Sequence, residues 1–417
     1  MTDNSKASGV REITSCRICG REDLAQFLDL GLQPLANSFL TKDQLSNPEQ
    51  RYPLRVMFCQ GCGLVQLRDI VDPELLFRDY VYFSSGMPAS KHFRAYAQSI
   101  VADFTHRDTD LVVEIGSNDG HFLAVVKELG RAILGVDPAQ NIAADANSRG
   151  ILTLPEFFSQ KIANDIVAHY GAPKVVVGNN VVAHINNHHD LVTGITTLIG
   201  HDGVFVFEAP YLVDMFEQLS FDTIYHEHLS YLAVRPLQHL FNLHGLDIFD
   251  VQLHPIQGNS LRVFVGAHGA RPIAPSVQAC LQREHSIGLD RIEPYIELAQ
   301  KIVSLKNEVM SVLRDLKSQG HSIAGYGAPA KGNTLLNYYG IGTDILEYVT
   351  EELPSKIGLY TPGTHIPVAN VSLMRANPPE YSLLLAWNYQ RVILEKEKSF
   401  RDRGGQFIMP IGAERII

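Results

Sequence analysis

Val112-Val-Glu-Ile-Gly-Ser-Asn-Asp-Gly120 ends an apolar run in a glycine-rich turn. Apolar residues lead in from Leu111 and stop at Gly116, as in a buried parallel strand that meets a turn. A helix is expected from His121, with Phe122, Leu123, Val125 and Val126 on its apolar face. A second strand, Ala132–Val136, runs into Asp137, 21 residues beyond Gly116. Strand, glycine turn, helix, strand and terminal acid make the first half of a nucleotide-binding α/β unit. Glycines let a ligand approach the backbone closely, and the acid accepts hydrogen bonds from ribose hydroxyls.

The turn spaces its two glycines by four and contains no Gly-x-Gly, so it is not the dinucleotide turn. Glu114 precedes it by two residues. It resembles the first motif of class I methyltransferases that use S-adenosylmethionine, in which the loop backbone cradles the methionine part and the preceding acid helps hold it. The resemblance implies a cofactor set of Glu114, Gly116, Asn118, Gly120 and Asp137. The alternative is a doubly wound domain with a glycine turn and no cofactor. Thr153-Leu-Pro-Glu-Phe-Phe158 follows a third strand, and Phe157 or Phe158 there either lies against an adenine or packs in the core. Val175–His184 reads as a fourth strand opening into a polar turn. Asn179 and Asn180 stand at its carboxyl end, where open α/β sheets bind ligands, and His184 lies just beyond. A fifth strand, Gly203–Pro210, carries Glu208 at its end.

Four of the five cysteines form two Cys-x-x-Cys pairs, Cys16 with Cys19 and Cys59 with Cys62. Gly20, Gly61 and Gly63 suit tight knuckle turns around them. Each pair sets two thiolates on one side of a metal, and together they complete a tetrahedral zinc site with no open position. That zinc is structural. Two disulfides are disfavoured in a cytoplasmic chain. Cys280 stands alone in an apolar helical context and is expected in the core.

The chain's 417 residues suit two or three domains. Hydrophobic residues make up 45% and charged residues 19%, an ordinary globular balance. No apolar run is long enough to cross a bilayer, and Met1 to Glu12 holds no apolar signal core, so a soluble cytoplasmic protein is expected. Thirty-five basic against 45 acidic residues give a net charge of −10, which argues against nonspecific nucleic-acid binding. A monomer or weak homo-oligomer is expected, with neither nucleic acid nor membrane as a partner.

Phe77-Arg-Asp-Tyr-Val-Tyr-Phe-Ser-Ser85 leads from the cysteine-rich part into the central domain, and its Tyr80 and Tyr82 are candidate site residues. Further on, Tyr225-His-Glu-His228 sets four titratable groups in a row. On a strand or extended loop, Tyr225 and Glu227 would face one way and His226 and His228 the other. The spacing does not suit a helical His-Glu-x-x-His zinc site, and histidine is the side chain best matched to proton transfer near neutral pH. Gly258-Asn-Ser260 precedes a strand in which Arg262 is placed to meet a phosphate or a carboxylate. A linker is expected over 267–275, then a long helix ending at Ser318 before Gly320. Gly325-Tyr-Gly-Ala-Pro-Ala330 follows a short strand in the permissive Gly-x-Gly-x-x-Ala form, so a second α/β domain closes the chain. Leu346–Glu351 serves as its next strand, Thr361–Pro367 is a rigid loop, and Leu383–Tyr389 is a strand carrying the only Trp.

Taken together these motifs resemble the zinc-containing sugar C-methyltransferases, which act on nucleotide-linked 4-keto-6-deoxy sugars, and among them most nearly the C-3 methyltransferases that make branched deoxysugars. The resemblance spans residues 15 to 410. It rests on the two cysteine pairs, Glu114–Gly120, Asn180-Val-Val-Ala-His184, Tyr225–Tyr231, Gly325–Asn333, Tyr360–Pro367 and Ala386–Tyr389. The chain departs from the family pattern at Gly258-Asn-Ser260 and at Thr350-Glu-Glu352, which bears on the sugar and nucleotide taken.

The resemblance implies an α/β chain with a zinc-binding domain (1–75), a class I methyltransferase domain of Rossmann-like fold (76–270) and a C-terminal Rossmann-like domain (271–417) that contributes to nucleotide-sugar binding. The implied cofactors are S-adenosylmethionine and structural zinc, and the implied partner is a nucleotide-linked keto-deoxysugar. His228 is then the leading base, with Glu227 and Tyr225 in its proton network, and His184 and Tyr80 orient the sugar or steady an enolate oxygen. Tyr82, His226, Asn259, Ser260, Arg262, Lys331 and Asn333 form the implied substrate set. The rival readings are C-5 or heteroatom methylation of a related sugar, a zinc-scaffolded protein that only binds the nucleotide sugar, and an NAD oxidoreductase built on Gly325–Ala330.

Overall fold

The computed structural model describes residues 9–77, 90–254, 260–412 and 414–417. Apolar strands around the cysteine knuckles build the first layer: β1 (Val10–Glu12), β2 (Leu24–Gln33), β3 (Tyr52–Cys59), β4 (Val65–Leu67) and β5 (Asp69–Val71). Cys59 ends β3, and its amide bonds to Leu64 O at 2.9 Å, turning the chain tightly into β4. Gly63 sits in that turn at φ +84°. The strands β2, β3 and β4 pair antiparallel, and β1 pairs separately with β5.

The central domain follows with β6 (Leu111–Ile115), β7 (Ala132–Val136), β8 (Thr153–Leu154), β9 (Val175–Asn179), β10 (Val204–Pro210), β11 (Ser230–Tyr231), β12 (Leu246–His254) and β13 (Ser260–Ala267). Seven of these form one sheet in the order β12-β13-β10-β9-β6-β7-β8. The strand β13 runs antiparallel to both its neighbours, and the registers from β10 to β8 are parallel. Helices cover both faces, which is why the strands read as continuous apolar runs and not as alternating ones. Val113, Val176 and Phe205 feed one core; Val112, Val175 and Val204 feed the other, against Phe122 and Ile100. The strand order reverses between β6 and β9, the position at which such sheets take their ligands. The expected third strand is shorter and later than its reading: Thr153–Leu154 is itself that strand.

The strand β11 leaves this sheet. It pairs antiparallel with β4, Ser230 opposite Gln66 and Tyr231 opposite Val65, and so becomes the edge of the N-terminal sheet.

The C-terminal layer is a parallel sheet in the order β16-β15-β14-β17-β18, formed by β14 (Ile323–Tyr326), β15 (Val349–Glu351), β16 (Val368–Asn370), β17 (Tyr381–Leu384) and β18 (Gln406–Ile408). Its switch point lies between β14 and β17. Trp387 lies beyond β17, in a single turn of 3-10 helix, and not on the strand. Helix Glu293–Ser318, 26 residues and about 39 Å long, crosses the layers. Ile302, Leu305, Val309 and Leu316 are buried along it, as their spacing requires. At its first turn Tyr295 is wedged between Phe27, Phe58 and Phe216 at centroid distances of 5.0, 4.7 and 5.0 Å, which ties the helix to β2 and β3. Cys280 is core. No helix is long and apolar enough to cross a membrane.

Gly120 opens helix His121–Glu128 at φ +72°, and a β-carbon there would lie 2.5 Å from Ile151 Cγ2. Gly120→Ala therefore combines backbone strain with overpacking, and urea titration is expected to show a loss of about 2–4 kcal/mol. A loss below about 0.5 kcal/mol would mean that neither constraint operates.

Candidate active site

The four paired cysteines converge. Their sulfurs lie within 4.8 Å of one another, with Cys16 and Cys62 3.6 Å apart and Cys19 and Cys59 3.4 Å apart. Four sulfurs around a zinc ion at about 2.3 Å would sit about 3.8 Å apart, so the donor set and its spacing fit zinc. The separations are far beyond a disulfide bond, and all four are free cysteines. All four positions come from protein, which leaves no place for substrate on the metal.

The glycine turn after β6 wraps a second site. Gly116, Asn118 and Gly120 all take positive φ, at +66°, +50° and +72°. Asp137 at the tip of β7 holds the turn in place by accepting hydrogen bonds from the amides of Asn118 (2.7 Å) and Ala139 (2.9 Å). Glu114 accepts from Asn179 Nδ2 at 2.9 Å through Oε1. Its Oε2 is buried without a protein partner, as are Oδ1 of Asn179 and Oδ1 of Asn180. Burial pushes the Glu114 carboxyl well above its ordinary value and also raises that of Asp137. Buried acceptors at the ends of β6 and β9 call for a cationic donor, and the α-ammonium group of S-adenosylmethionine is such a donor. The cradle fits that cofactor. Phe158 packs against Gly194, where a β-carbon would be 3.0 Å from its ring; Phe157, half-buried like Phe158, precedes it in the loop after β8.

From Asn179 the chain runs through Asn180 (φ +54°) into a short turn, Val182–His184. That turn sets the His184 ring 4.9 Å from that of His228. Tyr225-His-Glu-His228 is a turn and not an extended segment, closed by a bond from the His228 amide to Tyr225 O at 2.9 Å. Tyr225 and His228 are therefore brought to the same side, contrary to the alternation that a strand would impose. Tyr225 Oη lies 3.0 Å from His228 Nε2. His228 Nδ1 lies 2.8 Å from Thr223 O, a pure acceptor, so Nδ1 carries the proton and Nε2 accepts from the tyrosine. Desolvation pushes His228 down to about 4, although one edge of its ring opens on a cleft, and it pushes His184 well below its ordinary value. Burial thus favours the neutral form of both rings.

That cleft is lined by Ala183, Thr223 and His228 from the central domain and by Lys331 and Trp387 from the C-terminal one. Trp387 Nε1 donates to Asp222 Oδ2 at 2.7 Å, and the Lys331 ammonium lies 4.1 Å above the Trp387 ring. Lys331 and Trp387 follow β14 and β17, so the C-terminal switch point opens onto the same space as His228.

The other expected site residues are distributed around this centre. Glu227 accepts from Asn37 Nδ2 at 2.6 Å. His226 points into the N-terminal sheet, donating to Pro53 O at 3.1 Å with its ring edge against Tyr52. Arg262 meets a carboxylate, Glu208, at 2.7 Å, and Glu208 also receives His92 at 2.9 Å. Ser260 is buried opposite Pro210 at the start of β13. Asn333 donates to Ala36 O at 2.7 Å, tying the C-terminal domain to the N-terminal one. Tyr80, Tyr82 and Asn259 lie outside the described residues. Sequence reading did not single out Asp222, Trp387 or His92 as site residues. Asp222 stands three residues before Tyr225, the one local hint; the partners of the other two are more than a hundred residues away in the chain.

Three family models tile the chain: a zinc binding domain over residues 16–77, a methyltransferase domain over 90–251 and a C-methyltransferase C-terminal domain over 255–412. The chain is 36% identical over 410 residues to the C-methyltransferase NovU of Streptomyces niveus, covering 98% of both chains. Solved structures similar to it include a SAM dependent methyltransferase from Archaeoglobus fulgidus (17% identity, TM-score 0.34, 40% of this chain and 72% of that one). Another is the magnesium protoporphyrin IX methyltransferase of Synechocystis PCC 6803 (11% identity, TM-score 0.31, 43% and 79%).

Burial holds His226 down at about 4, while in the unfolded chain it titrates near 6.5. Below about 6.5 the unfolded chain takes up a proton that the folded one refuses. The stability this group confers is therefore complete above that value and drains as pH falls toward 4. Urea titrations of wild type and His226→Gln at pH 7, 5.5 and 4.5 should show the wild type's advantage shrinking with acidity, by up to about 3 kcal/mol for the single site. Parallel pH dependences would contradict the buried, neutral histidine.

Proposed function

The chain belongs to the C-methyltransferase family, and from that premise we propose that it methylates C-3 of a nucleotide-linked 4-keto-6-deoxy sugar. The observation that carries this reading is the Tyr225–His228–Thr223 chain. A carbon nucleophile must first lose a proton, and this is a neutral imidazole with its tautomer fixed by a backbone carbonyl and its free nitrogen joined to a phenol. Heteroatom methylation of a hydroxyl or amine makes a weaker demand for such a base.

The ketone at C-4 acidifies the neighbouring C–H. The Tyr225 hydroxyl accepts the C-3 proton as it passes its own to His228 Nε2, so the proton ends on the imidazole and the electron pair in an enolate. His184, 4.9 Å from His228 between centroids, and Lys331 across the cleft are placed to steady the enolate oxygen and the anionic nucleotide. S-adenosylmethionine, held by the Glu114–Asn179 cradle, supplies an electrophilic methyl group on a sulfonium that departs as a neutral thioether. The C-3 carbon forms the new bond to that methyl, the carbonyl reforms at C-4, and His228 returns its proton to solvent. The zinc ion takes no part in these steps. The C-terminal switch point, with Lys331 beside Trp387 and the amino end of helix Ala330–Tyr339, suits the diphosphate of the nucleotide.

If Tyr225 and His228 act as one relay, Tyr225→Phe and His228→Asn each lower kcat for methyl transfer by about 10²–10⁴. The double variant is then no slower than the worse single one. Mass spectrometry of the sugar product, with S-adenosylhomocysteine release as the second readout, measures this. Multiplicative losses in the double variant would separate the two groups, and unchanged turnover in both would remove them from the chemistry.

A further inference from the structure

The zinc knuckle reaches the histidine cluster through one side chain. Arg17 lies between the ligands Cys16 and Cys19 and is buried. Its Nη1 donates to Leu67 O at 2.6 Å and to Gln66 Oε1 at 3.1 Å, both on β4. Its Nε donates to Asn186 Oδ1 at 3.1 Å, two residues beyond His184. The neighbouring knuckle residue repeats the connection: Ile18 O accepts from His189 Nε2 at 2.7 Å. On the other side, Gln66 pairs with Ser230 and the Leu67 amide donates to Leu229 O at 2.9 Å, immediately after His228. One guanidinium thus holds both the segment that carries His184 and the strand against which the His228 segment is pinned.

Among the described residues no carboxylate lies within ion-pair distance of Arg17, and its hydrogen-bond acceptors are all neutral oxygens. A buried cation needs a countercharge. Zinc with four thiolates carries a net charge of about −2, and it stands beside Arg17 in the chain.

We propose that Arg17 is a positioning residue: with the filled zinc site as its countercharge, it sets the separation and orientation of His184 and His228. The zinc centre then acts on the reaction through geometry, without touching substrate. The catalytic consequence rests on the function proposed above; the positional one does not.

The test compares wild type with Arg17→Met, which keeps reach and loses charge and donors. Asn186→Ala serves as a second variant that removes only the contact to the His184 segment. The readouts are zinc content, affinity for S-adenosylhomocysteine, hydrogen exchange of peptides spanning 182–190 and 226–232, and kcat and KM. The expected result for Arg17→Met is one zinc per chain, unchanged S-adenosylhomocysteine affinity and faster exchange in both peptides, with kcat down about 100-fold and KM much less affected. Asn186→Ala is expected to loosen 182–190 alone. Arg17→Lys, which restores charge but not the fork, should recover only part of kcat. Exchange in both peptides unchanged in Arg17→Met overturns the proposal. So does loss of zinc from that variant, since Arg17 would then serve the metal site itself. If Arg17→Met does not fold, unchanged exchange of 182–190 in Asn186→Ala overturns it. A wild-type enzyme inactive on every keto sugar would count against the proposed function, while the exchange and zinc readouts would still decide the positional claim.

Discussion

Two residues of β-ladder, Ser230 and Tyr231 against Gln66 and Val65, hold the Tyr225–His228 turn against the N-terminal sheet. A strand that short has no stability of its own, and it exists because a preformed sheet offers it an edge. That sheet is small, and one end of it is the cysteine knuckle between β3 and β4. A layer of this size draws much of its order from a bound metal. The dependence runs in one direction: thiolates fix the knuckle, the knuckle fixes β4, β4 captures β11, and β11 fixes the turn in which Tyr225 meets His228. The cysteine knuckle is in this way part of what positions the Tyr225–His228 turn.

The second constraint is electrostatic. The carboxyl ends of β6, β9 and β10 carry Glu114, Asn179 and Glu208 side by side, with Glu208 matched by Arg262 and His92 and Glu114 only half satisfied by Asn179. A fully satisfied pair makes a rigid floor, and a half-satisfied carboxylate beside it makes a receptor. The histidines follow the same division. His226 holds Pro53 O, whereas His228 lines the space between domains with the His184 ring 4.9 Å from its own. The switch point of the C-terminal sheet opens on that space through Lys331 and Trp387, and the turn after β9 reaches it through Ala183. A donor and a large acceptor can therefore be presented to each other from opposite walls.

Much of this was legible in sequence because the signals were local. The glycine turn two residues after Glu114, with Asp137 at the end of the next strand, and the two Cys-x-x-Cys pairs each have a fixed, short spacing. The reading of Tyr225–His228 as an extended segment gave these groups the wrong geometry. Alternation was assumed, and the turn closed by the His228 amide joins the two that a strand would have parted. What stayed hidden is long-range. Nothing near Trp387 announces Asp222, nothing near Arg17 announces Asn186, and nothing near Phe158 announces its contact with Gly194. Tertiary contacts choose among side chains that local pattern leaves equivalent.

The central claim is that this site makes a carbanion next to a ketone. Proton NMR in D2O tests it most directly, with TDP-4-keto-6-deoxyglucose and S-adenosylhomocysteine, which completes the site but has no methyl to give. The account predicts enzyme-dependent loss of the C-3 proton signal, abolished by His228→Asn. Loss at C-5 instead would move the reaction to the other side of the ketone. Silence at both carbons across a panel of nucleotide-linked keto sugars, with S-adenosylhomocysteine bound, would contradict the enolate mechanism.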